Sequence, residues 1–441
     1  MRSRIFMSLF LSFSVLTVLS CGQKSESDLL SDGQLVSIPS MTVTQLPSST
    51  TQNPNSTWWG YNMSKIVRYG TNIYYGIIED DTGVQNTNGN FKIYKKPDGG
   101  SPVLVASIST SRPGNVLIDH LGQLHAIMFQ AHTVSINDSI GSLVHYQYNN
   151  VETDNFTESV RTVVNEATNP NQEVVNIRLG ATTNNQGHLA VAHGLVYDPD
   201  NGTKAEYLYT KSPSGSWVTN KVTGLAHEFY YPFVVYTDAG KASLLPVQDD
   251  YVAGSPPFNR YYIVPYMTFE SGNWNSVTFA DYSNDPLAVG DQEPQLVEQS
   301  ELFERTSGDL VAVYNDKRAN LSEFRVRTIS ASGTVSSEST LNWATGMNWV
   351  RAFEIDGELY YLAVSWDSAY IAKASTGTAK RINLPGMKEG VYPYTSAGRG
   401  GSSRNALTTI DFLMISGSSD AYPSPGTQLY QIPKQSIKNL F

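Results

Sequence analysis

Cleaving a glycosidic bond generally takes two carboxylates, or a tyrosine paired with a carboxylate, on either side of it. The candidates in this sequence are Glu228, close to Tyr230 and Tyr231, and Glu293, just before Pro294. Asp80, Asp249, Asp250 and Asp316 lie in polar stretches between apolar runs. Holding an anionic ligand takes guanidinium forks, which pair bidentately with carboxylates. Arg112, Arg178 and Arg351 are candidates for that role, although each could equally pair with a structural carboxylate. Asp316 and Arg318 are two residues apart, a spacing that suits a local ion pair as well as a ligand contact. Trp349 beside Arg351 belongs to a set of aromatics with Trp58, Trp59, Tyr230, Tyr231, Trp366 and Tyr392. Such rings stack on sugars, anchor a protein partner, or pack between structural units.

Other chemistries are poorly provided for. The seven histidines include no His-x-His and no His-Glu-x-x-His, and one cysteine cannot build a thiolate site. Residues 198–202, Asp-Pro-Asp-Asn-Gly, start like a calcium loop but lack the later bidentate glutamate. No nucleophile elbow, phosphate loop or dinucleotide fingerprint is present, so no metal and no cofactor is expected. The formal net charge is −10 with no basic block. Nucleic acid is therefore not an expected partner, because phosphate binding needs clustered Lys and Arg.

The elements that must position these residues are strands. Charged residues make up 16% of the chain, and 26 tyrosines and 34 glycines are present. Low charge, many aromatics and many turn formers read as all-β. One pattern recurs, in which a turn containing glycine leads into an alternating apolar strand. Gly70, Gly122, Gly187, Gly240, Gly308 and Gly357 mark six copies, spaced by about 50–70 residues, and a weaker seventh begins near Asn405. Each unit continues with a polar loop, a third strand, a second glycine turn and a fourth strand, as in residues 313–335. Repeats of this length built from short strands predict one β-propeller of six or seven four-stranded blades.

These units resemble the repeats of sialidase-like propellers of the BNR type. The resemblance rests on strands ending in acidic turns with a following arginine, as at Asp316 and Arg318. It rests also on the hairpins Ser214-Gly215-Ser216-Trp217 and Ser271-Gly272-Asn273-Trp274. It covers roughly residues 58 to 435. It implies that ligands meet the face where inner strands begin, and that arginines there hold a substrate carboxylate. This chain departs from the family: both hairpins lack the Asp of the Asp-box, and the Arg-Ile-Pro motif is absent, with Arg112-Pro113 at best a remnant.

The amino-terminal residues resemble a bacterial lipoprotein signal. Arg2 and Arg4 precede an apolar run from Ile5 to Leu19, and Val18-Leu19-Ser20-Cys21 follows as a lipobox. The resemblance implies cleavage before Cys21 and lipid on its sulfur and amino terminus, which anchors the chain in a membrane. Gly22 is not the aspartate that retains many lipoproteins at the inner membrane, so the outer membrane or cell surface is expected. The organisation expected is a signal over 1–20, a lipidated tether over 21–55, and the propeller over 56–441. The leading functional expectation is a non-catalytic propeller that binds a glycan or a protein. The alternative is a sialidase-like glycoside hydrolase.

Overall fold

The six glycines that punctuate the sequence all take positive φ, from 57° at Gly70 to 84° at Gly308. A Cβ disfavours that region, so glycine closes the tight reversal between the first and second strands of each unit. The computed structural model describes residues 35–46, 60–80, 89–110, 113–131, 141–151, 156–167, 178–198, 203–225, 228–249, 261–285, 296–318, 322–387, 392–396, 408–415 and 427–441. In it the glycine turns join strands of seven antiparallel sheets, spanning residues 66–110, 115–167, 179–221, 228–281, 297–340, 349–383 and 392–433. Strands follow chain order across each sheet, and the first strand of every sheet touches the first strands of both neighbours. That closes a ring around an axis. The chain is a seven-bladed β-propeller of four-stranded blades, which settles the choice between six and seven.

The ring is closed by the amino-terminal side of the chain. The seventh blade takes only three strands from residues 392–433, and Thr42–Leu46 supplies its outer strand, in register from Thr42 opposite Gln431 to Leu46 opposite Thr427. Val36–Ser37 adds a short parallel strand outside the sixth blade, with Val36 opposite Ile382. Residues 36–46 therefore belong to the propeller, which corrects the expected tether over 21–55 and the boundary at 56. This strand pairs the outer edge of Thr427–Pro433, which a three-stranded blade would leave open.

Blades pack through apolar faces and a few buried ion pairs. Val67, Tyr74, Ile118, Met128 and Tyr146 fill one seam between the first two blades. Each such side chain contributes roughly 1.5–3 kcal/mol when fully buried. Arg68 of the first blade reaches Asp411 of the seventh at 2.7 and 2.8 Å, with both side chains fully buried. Its Nη1 and Nη2 donate to Asp98 at 2.9 Å, Nη2 being shared with Asp411. At the far end of the fifth inner strand, Arg305 meets Glu354 of the sixth blade at 3.1 Å. A carboxy-terminal helix, Lys434–Lys438, docks through Ser436, which donates to the Pro39 carbonyl at 2.8 Å.

Candidate functional site

The inner strands begin at Ile66, Asn115, Leu179, Glu228, Val297, Trp349 and Tyr392, and all seven starts share one end of the axis. Residues 60–65, just ahead of the first inner strand, belong to no blade. Gly60 takes φ of 65°, and the Met63 amide returns to its carbonyl at 2.9 Å, so the segment turns sharply. Asn62 donates to the carbonyls of Leu179 at 3.0 Å and Pro232 at 2.8 Å, in the third and fourth blades. Ser64 binds the second blade through the Asn115 side chain and the Val116 carbonyl. Lys65 donates to the Tyr394 hydroxyl of the seventh blade at 3.0 Å. Contacts on opposite sides of the ring place this segment across the axis as a plug.

The plug carries Tyr61 to the centre. Its ring lies 4.5 Å from Trp349, 4.7 Å from Tyr231 and 6.2 Å from Phe233. Trp349 in turn lies 5.3 Å from Tyr392, and Tyr230 lies 5.6 Å from Tyr261. These rings wall a mouth whose partly exposed members are Tyr231, Tyr392, Glu298 and Lys317. Lys317 holds the Glu298 carboxylate at 2.5 Å. Burial pushes the Tyr61 phenol well above its usual range, and the adjacent Glu298 carboxylate adds to the push. Among the described residues no well-formed hydrogen bond satisfies the buried Tyr61 hydroxyl. A phenol that stays protonated next to a carboxylate can donate a proton, or can be activated by handing that proton to the carboxylate.

Tyr231 stands out in the wall. Its φ is 46°, a region that costs a non-glycine residue free energy, and the fourth inner strand bulges between Tyr230 and Phe233. Gln299 donates to the carbonyls of Tyr230 at 3.1 Å and Tyr231 at 2.7 Å, which fixes this conformation from the neighbouring blade. Residues held in this region by their surroundings recur at ligand clamps and active sites.

The structure distributes the residues singled out in the sequence unevenly. Tyr230 is at the mouth, and the Arg178 guanidinium lies over its ring, 3.1 Å from the centroid. Arg351, expected as a ligand contact, is engaged with backbone carbonyls. It is only 2% exposed and donates to three carbonyls, those of Tyr61 at 2.8 Å, Pro393 at 2.8 Å and Ser300. Burial pulls its guanidinium down to about 10. Lys65 beside it is also lowered, first by burial and then by the Arg351 charge. Trp349, 8% exposed, is wall rather than open platform. Asp316 and Arg318 pair with each other at 2.8 Å, and Arg318 lies over the Tyr282 ring. The side chain of Glu228, and the whole of Arg112, Glu293 and Cys21, lie outside the described residues.

Three members of the site went unread in the sequence: Tyr61, Glu298 and Lys317. Glu298 had a signal. It is the second residue of an inner strand that opens after Pro294, and Val297 and Gln299 on either side are buried. Tyr61 had none, because its place depends on the plug crossing the axis. Among the described residues no three His, Cys, Asp or Glu side chains converge as a metal site.

Comparison with solved structures returns propellers. The crystal structure of polysaccharide lyase Uly1 covers 84% of this chain and 90% of its own, at 11% identity and a TM-score of 0.51. The α-L-arabinofuranosidase Arb93A from Fusarium graminearum covers 91% and 100%, at 9% identity and a TM-score of 0.46. A neuraminidase-like protein from A/bat/Guatemala/164/2009 covers 90% and 95%, at 9% identity and a TM-score of 0.40. No family model matches the sequence, and no curated protein matches it. The likeness to the lyase shows a shared fold. The comparison corrects the expectation of a non-catalytic binding or scaffold propeller: a solved structure that shares the fold is a polysaccharide lyase.

Proposed function

We propose that this chain is a glycan-cleaving enzyme that works at the mouth over Tyr61. The observation that carries the reading is Tyr61 itself: a buried phenol without a settled hydrogen-bond partner, facing Glu298 inside a wall of aromatic rings. In this reading Tyr61 and Glu298 form the tyrosine–carboxylate pair that glycosidic cleavage can use in place of two carboxylates. Tyr231 and Tyr392, partly exposed, offer faces on which sugar rings stack. Arg178, Lys317, Lys65 and Arg351 lie around this end of the axis, with Glu298, Glu301 and Asp316 among the acidic groups there. A basic centre in a chain of net charge −10 favours a glycan with acidic groups.

The test is a panel of acidic and neutral polysaccharides incubated with the purified protein. Two signals are read together: new reducing ends, and the ultraviolet absorbance of an unsaturated uronide. Hydrolysis gives the first alone and elimination gives both. No new reducing end on any member of the panel, from a protein that melts cooperatively, sinks the reading.

We also propose that the chain is held at the outer membrane or cell surface by lipid on Cys21, on the strength of the lipobox-like Val18-Leu19-Ser20-Cys21. Metabolic labelling with a fatty acid should mark the wild type and leave Cys21→Ala unmarked. An unlabelled wild type would sink the anchor.

A further inference from the structure

Among the described histidines, four line the seam between the second and third blades. His120 packs against Gly187, close enough that a Cβ there would sit 2.3 Å from its Nδ1. His193 lies 5.9 Å from Phe129 across the seam. His125 and His145, on the second and third strands of the second blade, join through a 2.9 Å contact from Nδ1 to Nε2. His125 Nε2 also approaches Asp119 at 3.3 Å. His145 meets Trp217, on the outer strand of the third blade, edge-on at 5.5 Å and 86°. All three polar members are buried, with Asp119 3%, His125 3% and His145 1% exposed.

The proton positions follow from this chain of contacts. An imidazole–imidazole hydrogen bond needs one donor and one acceptor nitrogen. The carboxylate of Asp119 calls for a proton on His125 Nε2, which leaves His125 Nδ1 to accept from His145 Nε2. Every proton is then placed while both rings are neutral. An additional proton has to go on His145 Nδ1. That atom is buried with no hydrogen-bond partner among the described residues, as is Trp217 Nε1 beside it, while His125 Nε2 has only its 3.3 Å approach to Asp119 and no well-formed hydrogen bond. The charged and titratable groups that face the pair are Asp119, on the turn after the second blade's inner strand, and Lys211, on the third strand of the third blade. Lys211 repels a second cation, and Asp119 faces the other ring.

We propose that the seam between the second and third blades is an acid-sensitive latch, closed while the His125–His145 pair is neutral and released when His145 takes up a proton. Burial first, then the charge that His125 carries only when it is itself protonated, then the Lys211 charge, hold the His145 imidazole well below its usual range. The closed seam therefore refuses the proton that an opened one accepts. Opening is favoured as pH falls below the ordinary histidine value of about 6.5, by up to tenfold per pH unit for one proton. Asp119 and the histidine pair lie toward the end of the seam where the second inner strand finishes, whereas the third inner strand begins at Leu179, immediately after Arg178, at the mouth end.

The test is hydrogen–deuterium exchange of the full chain at pH 7.5 and pH 5.5, corrected for the intrinsic pH dependence of exchange. Peptides from residues 115–148 and 203–222 should exchange several-fold faster at the lower pH, while those from the fifth and sixth blades keep their protection. His145→Gln should abolish the difference. Equal protection at both pH values, or loosening spread evenly over all blades, overturns the proposal on the wild type alone, even where the variant fails to fold. A seam that loosens equally in folded His145→Gln overturns it too.

Discussion

Tyr61 is 5% exposed, and no blade pattern points to it, yet it is the residue on which the candidate chemistry depends. Tyr61→Phe removes only the hydroxyl and keeps the ring contacts with Trp349 and Tyr231. It should lower the cleavage rate by about a hundredfold or more, the range for losing a positioned proton donor or acceptor. Glu298→Gln should do the same. Stability of both variants should stay close to wild type, so the comparison is of rate at matched melting temperature. A Tyr61→Phe variant of wild-type rate would leave the site without its central group. Arg351 should behave in the opposite way. Its guanidinium satisfies three buried carbonyls, and Arg351→Ala strands them beside Lys65 and Glu301. The cost should reach about 3 kcal/mol or more, read as a lower urea midpoint. The sequence presented Arg351 as a ligand arginine because residue type and strand position are visible there, whereas depth is not. The plug that buries it is made of residues from another part of the chain.

At the scale of elements the ring turns on a strand of five residues. Thr42–Leu46 completes the seventh blade along Thr427–Gln431, and Leu46 is 2% exposed within an apolar cluster that includes Ile66, Tyr75 and Leu413. A chain that starts at residue 47 should leave that blade three-stranded, with an open edge beside the first blade. It should aggregate or lose its cooperative unfolding transition, while a chain that starts at residue 35 stays monomeric and melts sharply. Light scattering with a thermal melt separates the two outcomes, and a stable monomer from residue 47 would show that the closing strand is dispensable. Six of the blades were legible because the reversal between their first and second strands takes positive φ, and glycine announces it. Even the weak seventh repeat, read around Ile410–Ile415, is the second strand of the seventh blade. The closing strand was not legible. Thr-Val-Thr-Gln-Leu lies in a stretch rich in Ser, Thr and Pro, without a glycine turn or a neighbouring strand in sequence, because its partner lies almost four hundred residues away.

At the scale of the whole molecule, acid should unfold this protein in two stages of different origin. The first belongs to His145, whose folded form resists protonation while the unfolded chain takes a proton near pH 6.5. Its contribution is complete above that value and falls as pH drops, at up to about 1.4 kcal/mol per pH unit. The second belongs to carboxylates. Burial alone would raise Asp119, but the hydrogen bond and charge of His125, with the amides of Gln123 and Leu121, outweigh it and leave the carboxyl lowered. Asp316 is lowered in the same way, with burial outweighed by Arg318. A lowered acid stabilises the fold above its unfolded value of about 3.9 and loses that contribution as pH falls through the folded one. Urea unfolding free energies should therefore be level from pH 8 to about 7, decline from near 6.5, and decline again below about 4. His145→Gln should remove the first decline and keep the second. A wild-type curve that stays level to pH 5 and breaks only in the carboxylate range would mean that the buried imidazole adds nothing to the pH response. Acid sensitivity would then rest on the ion pairs alone.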